Sequence, residues 1–257
     1  MRIAVVGGTG VVGRHVVAAV SAAGHDASVV ARSTGADLVS GEGLVDALDS
    51  ADAVIDVANA SSSSGRKSMA FFERATTNLL RAEREVGVGH HVALSIVGID
   101  EIDFGYYVAK RRQEELVRGG SVPWTMLRAT QFHEFPAQLA ERMKGPLLPV
   151  PTMVTQPVAA SEVAECLVEL ALAGPSGTMS EIAGPEVHRM PELARRLMRA
   201  HGSRRFVLPV RLPGKVGTAM AGGGLLPTED GRRGTQTFAD WLSVAGAGTH
   251  ADRSPHA

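Results

Sequence analysis

RIAVVGGTGVVGR, residues 2–14, has the composition of a short buried strand, a tight glycine turn and the start of a helix. The run from Arg2 to Val6 is apolar and β-branched, and the glycines at 7–10 end it with a turn. From Val11 to Ala23 the apolar side chains recur at helical spacing, and Gly24 stops the pattern. The chain therefore begins with a strand, a turn and a helix.

The same alternation continues to about residue 130. It predicts strands at 27–31, 36–39, 53–58, 91–95 and 124–127, and helices at 43–48, 66–86 and 105–118. Strands that are apolar on both faces and separated by helices are typical of a parallel sheet covered on both sides. The sequence thus predicts an α/β fold built on a doubly wound parallel sheet.

The alternation weakens after residue 130. Four prolines interrupt residues 146–157, and helices are predicted at 161–172, from Pro191 onward, and at 235–242. These elements suit a small C-terminal substrate-binding cap, at about 130–245, within a single domain of residues 1–245. The small, polar residues 246–257 predict a disordered tail.

Composition excludes several classes of protein. The 257 residues include 26 Lys and Arg against 27 Asp and Glu, so the net charge of −1 gives no broad attraction to nucleic acid or to an anionic membrane. The single cysteine excludes a disulfide-framed secreted domain, and no apolar run reaches the roughly 18 residues of a membrane span. No apolar signal core is present at the N-terminus, so we expect a cytoplasmic protein.

The glycines of the first turn fit two overlapping patterns. Gly8, Gly10 and Gly13 match G-x-G-x-x-G, whereas Gly7, Gly10 and Gly13 match G-x-x-G-x-x-G. In either register, a turn without Cβ atoms lets a helix N-terminus present its N–H groups to a diphosphate. The predicted phosphate-binding residues are Gly7, Thr9, Gly10, Val11, Val12, Gly13 and Arg14.

The end of the second strand selects the form of the dinucleotide. An NAD site favours Asp or Glu there to bind the ribose 2′-hydroxyl, but this chain has Ala31-Arg32-Ser33. Arg32 can hold a 2′-phosphate in a charge-assisted pair, and Ser33 can donate a second hydrogen bond. Arg14 is either a second positive charge nearby or a solvated helix residue. The predicted cofactor is NADP(H).

Ser95, Tyr106 and Lys110 form the candidate catalytic set. Ser95 ends a strand, at the edge where a doubly wound sheet binds its ligand. Tyr106 and Lys110 are four residues apart in a predicted helix, hence on one face. A lysine ammonium near a phenol lowers the phenol pKa and makes it a usable proton donor. Tyr107 lies about 100° round the helix and is expected to pack.

Five motifs together resemble one family. GGTGVVGR, VVARS, LSIVGID, YYVAK and LRATQF are similar to the atypical short-chain dehydrogenase/reductases, specifically their NmrA-like NAD(P)-binding group. The resemblance covers residues 1 to about 242 and is strongest over the first 135. It implies a Rossmann fold with a small C-terminal substrate region and bound NADP(H). The residues that match are Gly7, Gly10 and Gly13 in the phosphate loop, Arg14 and Arg32 at the 2′-phosphate, and Ser95, Tyr106 and Lys110 in the catalytic set.

Strand-end positions add further candidates. Ala58 and Asn59 close the predicted fourth strand and are expected beside the adenosine ribose; Thr130, Gln131 and Phe132 follow the last strand and are expected beneath the nicotinamide. The predicted substrate-pocket residues are Phe132, His133 and Phe135, with walls from 146–155. His133 is either a second proton donor or a surface or loop histidine. No His, Cys or acidic cluster has metal-ligand spacing, so no metal is predicted.

Three functions fit these residues. The first is an NADPH-dependent reductase of a ketone, enone or quinone on a small, largely apolar molecule. The second is a non-catalytic NADP(H) redox sensor, since many NmrA-like proteins have lost the tyrosine that this chain keeps. The third is an epimerase or dehydratase that regenerates its cofactor in each turnover. The expected partner is a small-molecule substrate, and the sequence leaves monomer and homodimer open.

Overall fold

The structure, a computed structural model, describes residues 1–60, 64–228 and 231–251. The chain divides into two compact units, one formed by Met1–Ala129 and Ala160–Glu181, the other by Thr130–Ala159 and Ile182–Ala257. No helix in the described ranges is both long and apolar enough to cross a membrane.

Strands and helices alternate along most of the chain. The strands are β1 (Arg2–Val6), β2 (Asp26–Val30), β3 (Ala53–Asp56), β4 (His90–Ile96), β5 (Trp124–Ala129), β6 (Leu147–Pro151), β7 (Val154–Thr155), β8 (Met179–Ala183), β9 (His188–Arg189), β10 (Phe206–Val210) and β11 (Arg232–Arg233). The helices are α1 (Val11–Ala22), α2 (Leu44–Leu48), α3 (Gly65–Val86), α4 (Gly105–Gly119), α5 (Phe135–Arg142), α6 (Ala160–Ala173), α7 (Met190–Ala200), α8 (Gly214–Ala221) and α9 (Phe238–Ala251).

The first unit is built on a parallel sheet. Strands β2, β1, β3, β4 and β5 lie side by side in that order, and β8 lies next to β5. Val6 of β1 is in register with Val30 of β2 and with Asp56 of β3. The first three strands therefore end at one level, and the segments that follow them begin at the same edge of the sheet.

Helices cover both faces of this sheet. The neighbouring residues His90 and His91 of β4 point in opposite directions, because successive side chains of a strand alternate between faces. His90 bonds to the carbonyl of Ala171 in α6, whereas His91 bonds to Glu83 in α3. Helices α1 and α6 pack on the first face, and α2, α3 and α4 on the second. The predicted doubly wound α/β fold is confirmed.

The second unit contains short strands and four helices. Strands β6 and β10 form a parallel pair, β7 and β9 an antiparallel pair, and β11 pairs in parallel with Ile182 and Ala183. Helix α7 packs on α5, on α9 and on the β6–β10 pair. The sequence predicted an irregular stretch at 146–157, but β6 and β7 lie there, and α5, α8, β8 and β10 were not predicted.

Two further sequence predictions differ from the structure. The strand predicted at 36–39 is wrong, because the Asp37 side chain accepts hydrogen bonds from the N–H groups of Val39 and Ser40 and folds this segment into a turn. The helix predicted at 235–242 begins at Phe238 and extends to Ala251, into the predicted tail. Residues 252–257 of that tail lie outside the described residues.

Candidate functional site

The glycine turn between β1 and α1 is closed too tightly for side chains. Gly7 has a φ of +79°, and a Cβ added at Gly13 would lie 2.1 Å from the carbonyl oxygen of Gly7. Gly10 caps α1 without a side-chain hydrogen bond, and the first turn of α1 has no acidic residue. Since Gly7 needs the left-handed conformation and Gly8 does not, the structure favours the G-x-x-G-x-x-G register. The N–H groups that begin α1 are bare of side chains, which fits a diphosphate.

The residues directly after β2 include a positive charge and no acid, and the nearest carboxylate along the chain is that of Asp37. Arg32 opens a single 3₁₀ turn at residues 32–34, which the Thr34 hydroxyl closes on the backbone of Ala31. The Arg32 and Ser33 side chains are exposed, and Arg32 has no hydrogen bond or ion pair within the described ranges. Arg14 is also exposed and donates to the carbonyl of Thr9, within the glycine turn. An exposed arginine, whose charge also acts on Asp37, therefore follows the strand that most often ends in an acid in NAD sites.

Tyr106 and Lys110 lie one turn apart in α4 and on one face of it, as their spacing predicts. Tyr106 is partly exposed, and its hydroxyl donates to Asn59 Oδ1 over 2.6 Å. The Phe72 ring packs against both residues: its centroid is 6.0 Å from that of Tyr106 and 5.0 Å from Lys110 Nζ. The predicted pair thus shares one local environment, between α4, α3 and the segment that follows β3.

Lys110 is deeply buried for an ammonium group. Its side chain is 5% exposed, and Nζ donates to the carbonyl of Leu94 over 2.7 Å and to Oε1 of Gln113. Burial lowers the pKa of Lys110 to about 8, although the charges of Asp56 and Glu114 act to raise it. The ammonium is therefore held beside the residue that precedes Ser95.

Ser95 belongs to the face of the sheet that α4 covers. It lies two residues after Ala93, which packs against Val117 of α4, so both side chains point to the same side of β4. Ser95 is 3% exposed, and its hydroxyl has no hydrogen-bond partner among residues 1–60, 64–228 and 231–251. A buried hydroxyl without a partner is costly, which favours a role as a donor to a ligand oxygen.

Tyr107 has a different environment from its neighbour Tyr106. Its ring packs edge-on against Phe104, and burial raises the pKa of its phenol, with Tyr106 adding to the effect. A phenol with a raised pKa is a poor proton carrier near neutrality. The packing role predicted for Tyr107 fits this geometry.

The candidate residues of the second unit are bound into its own core. The Thr130 hydroxyl donates to the carbonyl of Gln156, and Gln131 Oε1 accepts from the Thr155 hydroxyl. His133 is fully buried: its Nε2–H donates to the carbonyl of Gln236 over 3.0 Å, and its ring packs against Phe238 and Trp241. His133 lies in a turn, as a loop histidine does, but its side chain is buried and not at the surface; its role as a proton donor stays a prediction. Phe132 and Phe135 are half-buried.

Two buried polar residues beside Lys110 were missed by the sequence analysis. Asp56 ends the otherwise apolar strand β3, and Gln113 lies one turn after Lys110 in α4; both are 3% exposed. A carboxylate at the end of a buried strand and an amide three residues from a candidate lysine were the available signals. No group of three or more His, Cys, Asp or Glu residues suits a metal ion in the part of the chain that the structure describes.

Comparison with known proteins agrees with this geometry. A family model described as NAD(P)H-binding matches residues 7–173. No curated protein sequence matches the chain. Among solved structures, MoeE5 in complex with UDP-glucose and NAD superposes with a TM-score of 0.75 at 18% identity, covering 99% of this chain and 100% of that one.

Two further structures have the same fold. An NADPH-dependent quinone oxidoreductase from Escherichia coli gives a TM-score of 0.64 at 16% identity, covering 95% of this chain and 99% of that one. UDP-glucose 4-epimerase from Thermus thermophilus, complexed with NAD, gives 0.67 at 18% identity, covering 96% and 93%. The similarity extends over nearly the whole of each chain.

Proposed function

Because the chain belongs to the NAD(P)H-binding family, we propose that it is an NADPH-dependent reductase of a ketone, enone or quinone on a small, largely apolar molecule. The observation that carries the proposal is the pairing of Tyr106 with a buried lysine one turn away. A cofactor-binding protein that only senses redox state has no need of this pair.

The residues present fit the cofactor. Gly7, Gly10 and Gly13 let the turn close onto the start of α1, where Cβ atoms would collide with the backbone, and such a turn suits the diphosphate. Arg32 and Ser33 stand where the 2′-phosphate is bound in this fold class, and the end of β2 lacks the acid that suits NAD. NADPH, when bound, supplies the hydride that reduces the substrate carbon.

Each catalytic residue has a distinct task. The hydroxyls of Ser95 and Tyr106 donate hydrogen bonds to the substrate carbonyl oxygen and so stabilise the negative charge that develops on it. Tyr106 then gives its proton to the alkoxide and is left as a phenolate. The Lys110 ammonium has two roles: it holds the cofactor ribose, and its charge favours the phenolate. Solvent then reprotonates the phenolate.

A second candidate uses the same residues in sugar-nucleotide epimerisation. The MoeE5 structure is a complex with UDP-glucose and NAD, and the Thermus protein is a UDP-glucose 4-epimerase in complex with NAD. An epimerase returns its hydride to the substrate in every turnover and consumes no NADPH. The end of β2 favours the reductase, because Arg32 replaces the acid that suits NAD.

The test is NADPH oxidation with a panel of quinones, enones and ketones. Tyr106→Phe removes only a hydroxyl, so NADPH binding is expected to survive while turnover falls by about 10²–10⁴-fold. Tyr107→Phe is the matched control, the same change one residue away in a phenol that packs against Phe104, and is expected to keep the parent rate.

Other outcomes assign the other functions. Tight NADPH binding without oxidation by any member of the panel favours the sensor, whereas interconversion of UDP-sugars without net NADPH consumption favours the epimerase. Normal turnover by Tyr106→Phe contradicts the assignment of the proton donor.

A further inference from the structure

Asp56 is a buried carboxylate that the proposed chemistry does not use. It lies at the end of β3 and is 3% exposed. Its Oδ1 accepts from the N–H of Ala58 over 2.9 Å, and its Oδ2 accepts from Nε2 of Gln113 over 2.9 Å. Ala58 belongs to the segment predicted to run beside the adenosine ribose. One oxygen of Asp56 therefore fixes the candidate cofactor segment, and the other reaches into α4.

Gln113 joins Asp56 to Lys110 in only one orientation. An ammonium group can only donate hydrogen bonds, and a carboxylate can only accept them. The amide must therefore turn Oε1 to Lys110 and Nε2 to Asp56, which is the arrangement observed. The carboxylate and the ammonium do not touch, and a single amide connects them.

The charged groups around Lys110 are otherwise accounted for. Glu114 accepts two hydrogen bonds from Arg128, and the two carboxylate oxygens of Glu83 share the Nδ1–H of His91. Asp56 has no such cation in direct contact among the described residues, although its charge acts on Lys110, Glu83 and His91. A buried carboxylate is costly unless an opposite charge or several donors stabilise it. Lys110 is connected to Asp56 through Gln113, and its ammonium can stabilise the carboxylate in this way.

We propose that Asp56 and Gln113 are positioning residues for Lys110: the amide fixes the lysine side chain, and the carboxylate behind it keeps the lysine charged inside a site that burial would otherwise neutralise. The inference rests on the proposed function, since it concerns the lysine assigned there to the cofactor and to Tyr106. The proposal makes the charge of Lys110, in α4, depend on Asp56, at the end of β3.

The physical consequence is a specific pH dependence. Because burial already lowers the pKa of Lys110 to about 8, the ammonium is lost as the pH rises through that value. Removing the Asp56 charge lowers this pKa further, so the lysine deprotonates at a lower pH. Tyr106 and Glu114, on the same helix, and Arg128, on β5, remain unchanged in such a variant and do not oppose the shift.

A double-mutant cycle on NADPH affinity tests the coupling without needing turnover. Asp56→Asn removes the charge, Gln113→Met removes the amide, and each is combined with Lys110→Met. Each single variant is expected to weaken NADPH about tenfold, and the alkaline limb of the affinity profile is expected to move about one pH unit lower in Asp56→Asn. In the Lys110→Met background, Gln113→Met is expected to have little further effect.

Thr125→Val is the matched control. Thr125 is a buried polar residue of the same unit whose hydroxyl contacts His90 and Ser176, on the opposite face of the sheet. Its loss is expected to lower the unfolding temperature and to leave the alkaline limb in place. If Asp56→Asn does not fold, as judged by its thermal transition, the Gln113→Met cycle carries the same test.

Three results overturn the inference: additive effects of Gln113→Met and Lys110→Met, an alkaline limb that does not move in any variant, or a Lys110→Met protein that binds NADPH like the parent. Failure of the proposed function is distinguishable. A parent protein that oxidises no NADPH with the carbonyl panel, but shows the coupling, loses the reductase assignment and keeps the positioning roles. A parent protein with normal turnover but no coupling keeps the reductase assignment and loses the positioning roles of Asp56 and Gln113.

Discussion

Gly13→Ala is the sharpest test of the phosphate loop, because two physical effects of this change have opposite signs. Gly13 lies within α1, where alanine is favoured over glycine by roughly 0.5–1 kcal/mol. An added Cβ would, however, lie 2.1 Å from the Gly7 oxygen and 2.6 Å from the Gly8 Cα, and both of these atoms are backbone. Overpacking that forces a backbone shift costs about 1–3 kcal/mol. The net expectation is a loss of about 1–2 kcal/mol in the free energy of unfolding.

The same variant is expected to lose NADPH binding, since the backbone that must shift is the one that forms the diphosphate cradle. Urea unfolding with and without NADPH measures both effects. A ligand at 100 times its dissociation constant adds about 2.7 kcal/mol to the parent's stability, and this increment is expected to shrink sharply in Gly13→Ala.

Gly119→Ala is the matched control for this change. Gly119 ends α4, and nothing lies within 4 Å of the Cβ that the change adds. It is expected to stabilise the protein by up to about 1 kcal/mol and to bind NADPH as the parent does. If Gly13→Ala is as stable as Gly119→Ala, and NADPH stabilises both variants to the same extent, the prediction is wrong: the close approach of Gly13 to the turn is then not required for stability or for NADPH binding.

Three other changes test separate parts of the molecule. Arg32→Asp is expected to weaken NADPH by about 2 kcal/mol and to spare NADH, measured by fluorescence titration; equal affinities of the parent for both cofactors would contradict the prediction. Burial raises the pKa of Glu83. Burial acts to lower the pKa of His91, but the Glu83 carboxylate outweighs this effect and raises it. The folded protein therefore binds more protons than the unfolded chain. The free energy of unfolding is therefore expected to fall as the pH rises above 4.5 and 6.5, the pKa values of Glu and His in the unfolded chain. Urea titrations across this pH range are expected to show a weaker pH dependence in Glu83→Gln, and an unchanged one in the surface control Glu115→Gln. Arg205 donates to the carbonyls of residues 140, 143 and 145 at the end of α5, so Arg205→Met is expected to destabilise the protein by about 2 kcal/mol and to hasten proteolysis there; unchanged proteolysis would show that this cap is dispensable.

The elements that the sequence predicted well are those defined by local chemistry. The alternation of apolar strands and amphipathic helices predicts the order of β1 to β5, because each element needs only its own residues to show its period. The glycine turn is equally local, since a positive φ at Gly7 and a close approach at Gly13 both demand the absence of a side chain. The strand predicted at 36–39 failed for a similar reason, as the side chain of Asp37 competes for the backbone there.

Contacts between distant residues could not be predicted in the same way. His133 has the appearance of a loop residue in sequence, yet its partners Gln236 and Phe238 lie more than a hundred residues further along the chain. Asp56 and Lys110 are brought together by Gln113 only once β3 and α4 have packed. Residue types at strand ends predict where a ligand binds, but the partners that tune those residues depend on tertiary structure.

Asn59 is a residue whose position can be predicted from the sequence but whose hydrogen-bond partner cannot. Its position after β3 predicts a cofactor contact, whereas in the structure its Oδ1 accepts the Tyr106 hydroxyl proton over 2.6 Å. An acceptor of this kind stabilises the neutral phenol, and Lys110 stabilises the phenolate. To give its proton to a substrate oxygen, Tyr106 must exchange one acceptor for another, and the exchange is easiest at a partly exposed side chain such as this one. The hydrogen bond to Asn59 therefore orients the phenol, and in the proposed mechanism a carbonyl oxygen takes the place of the amide.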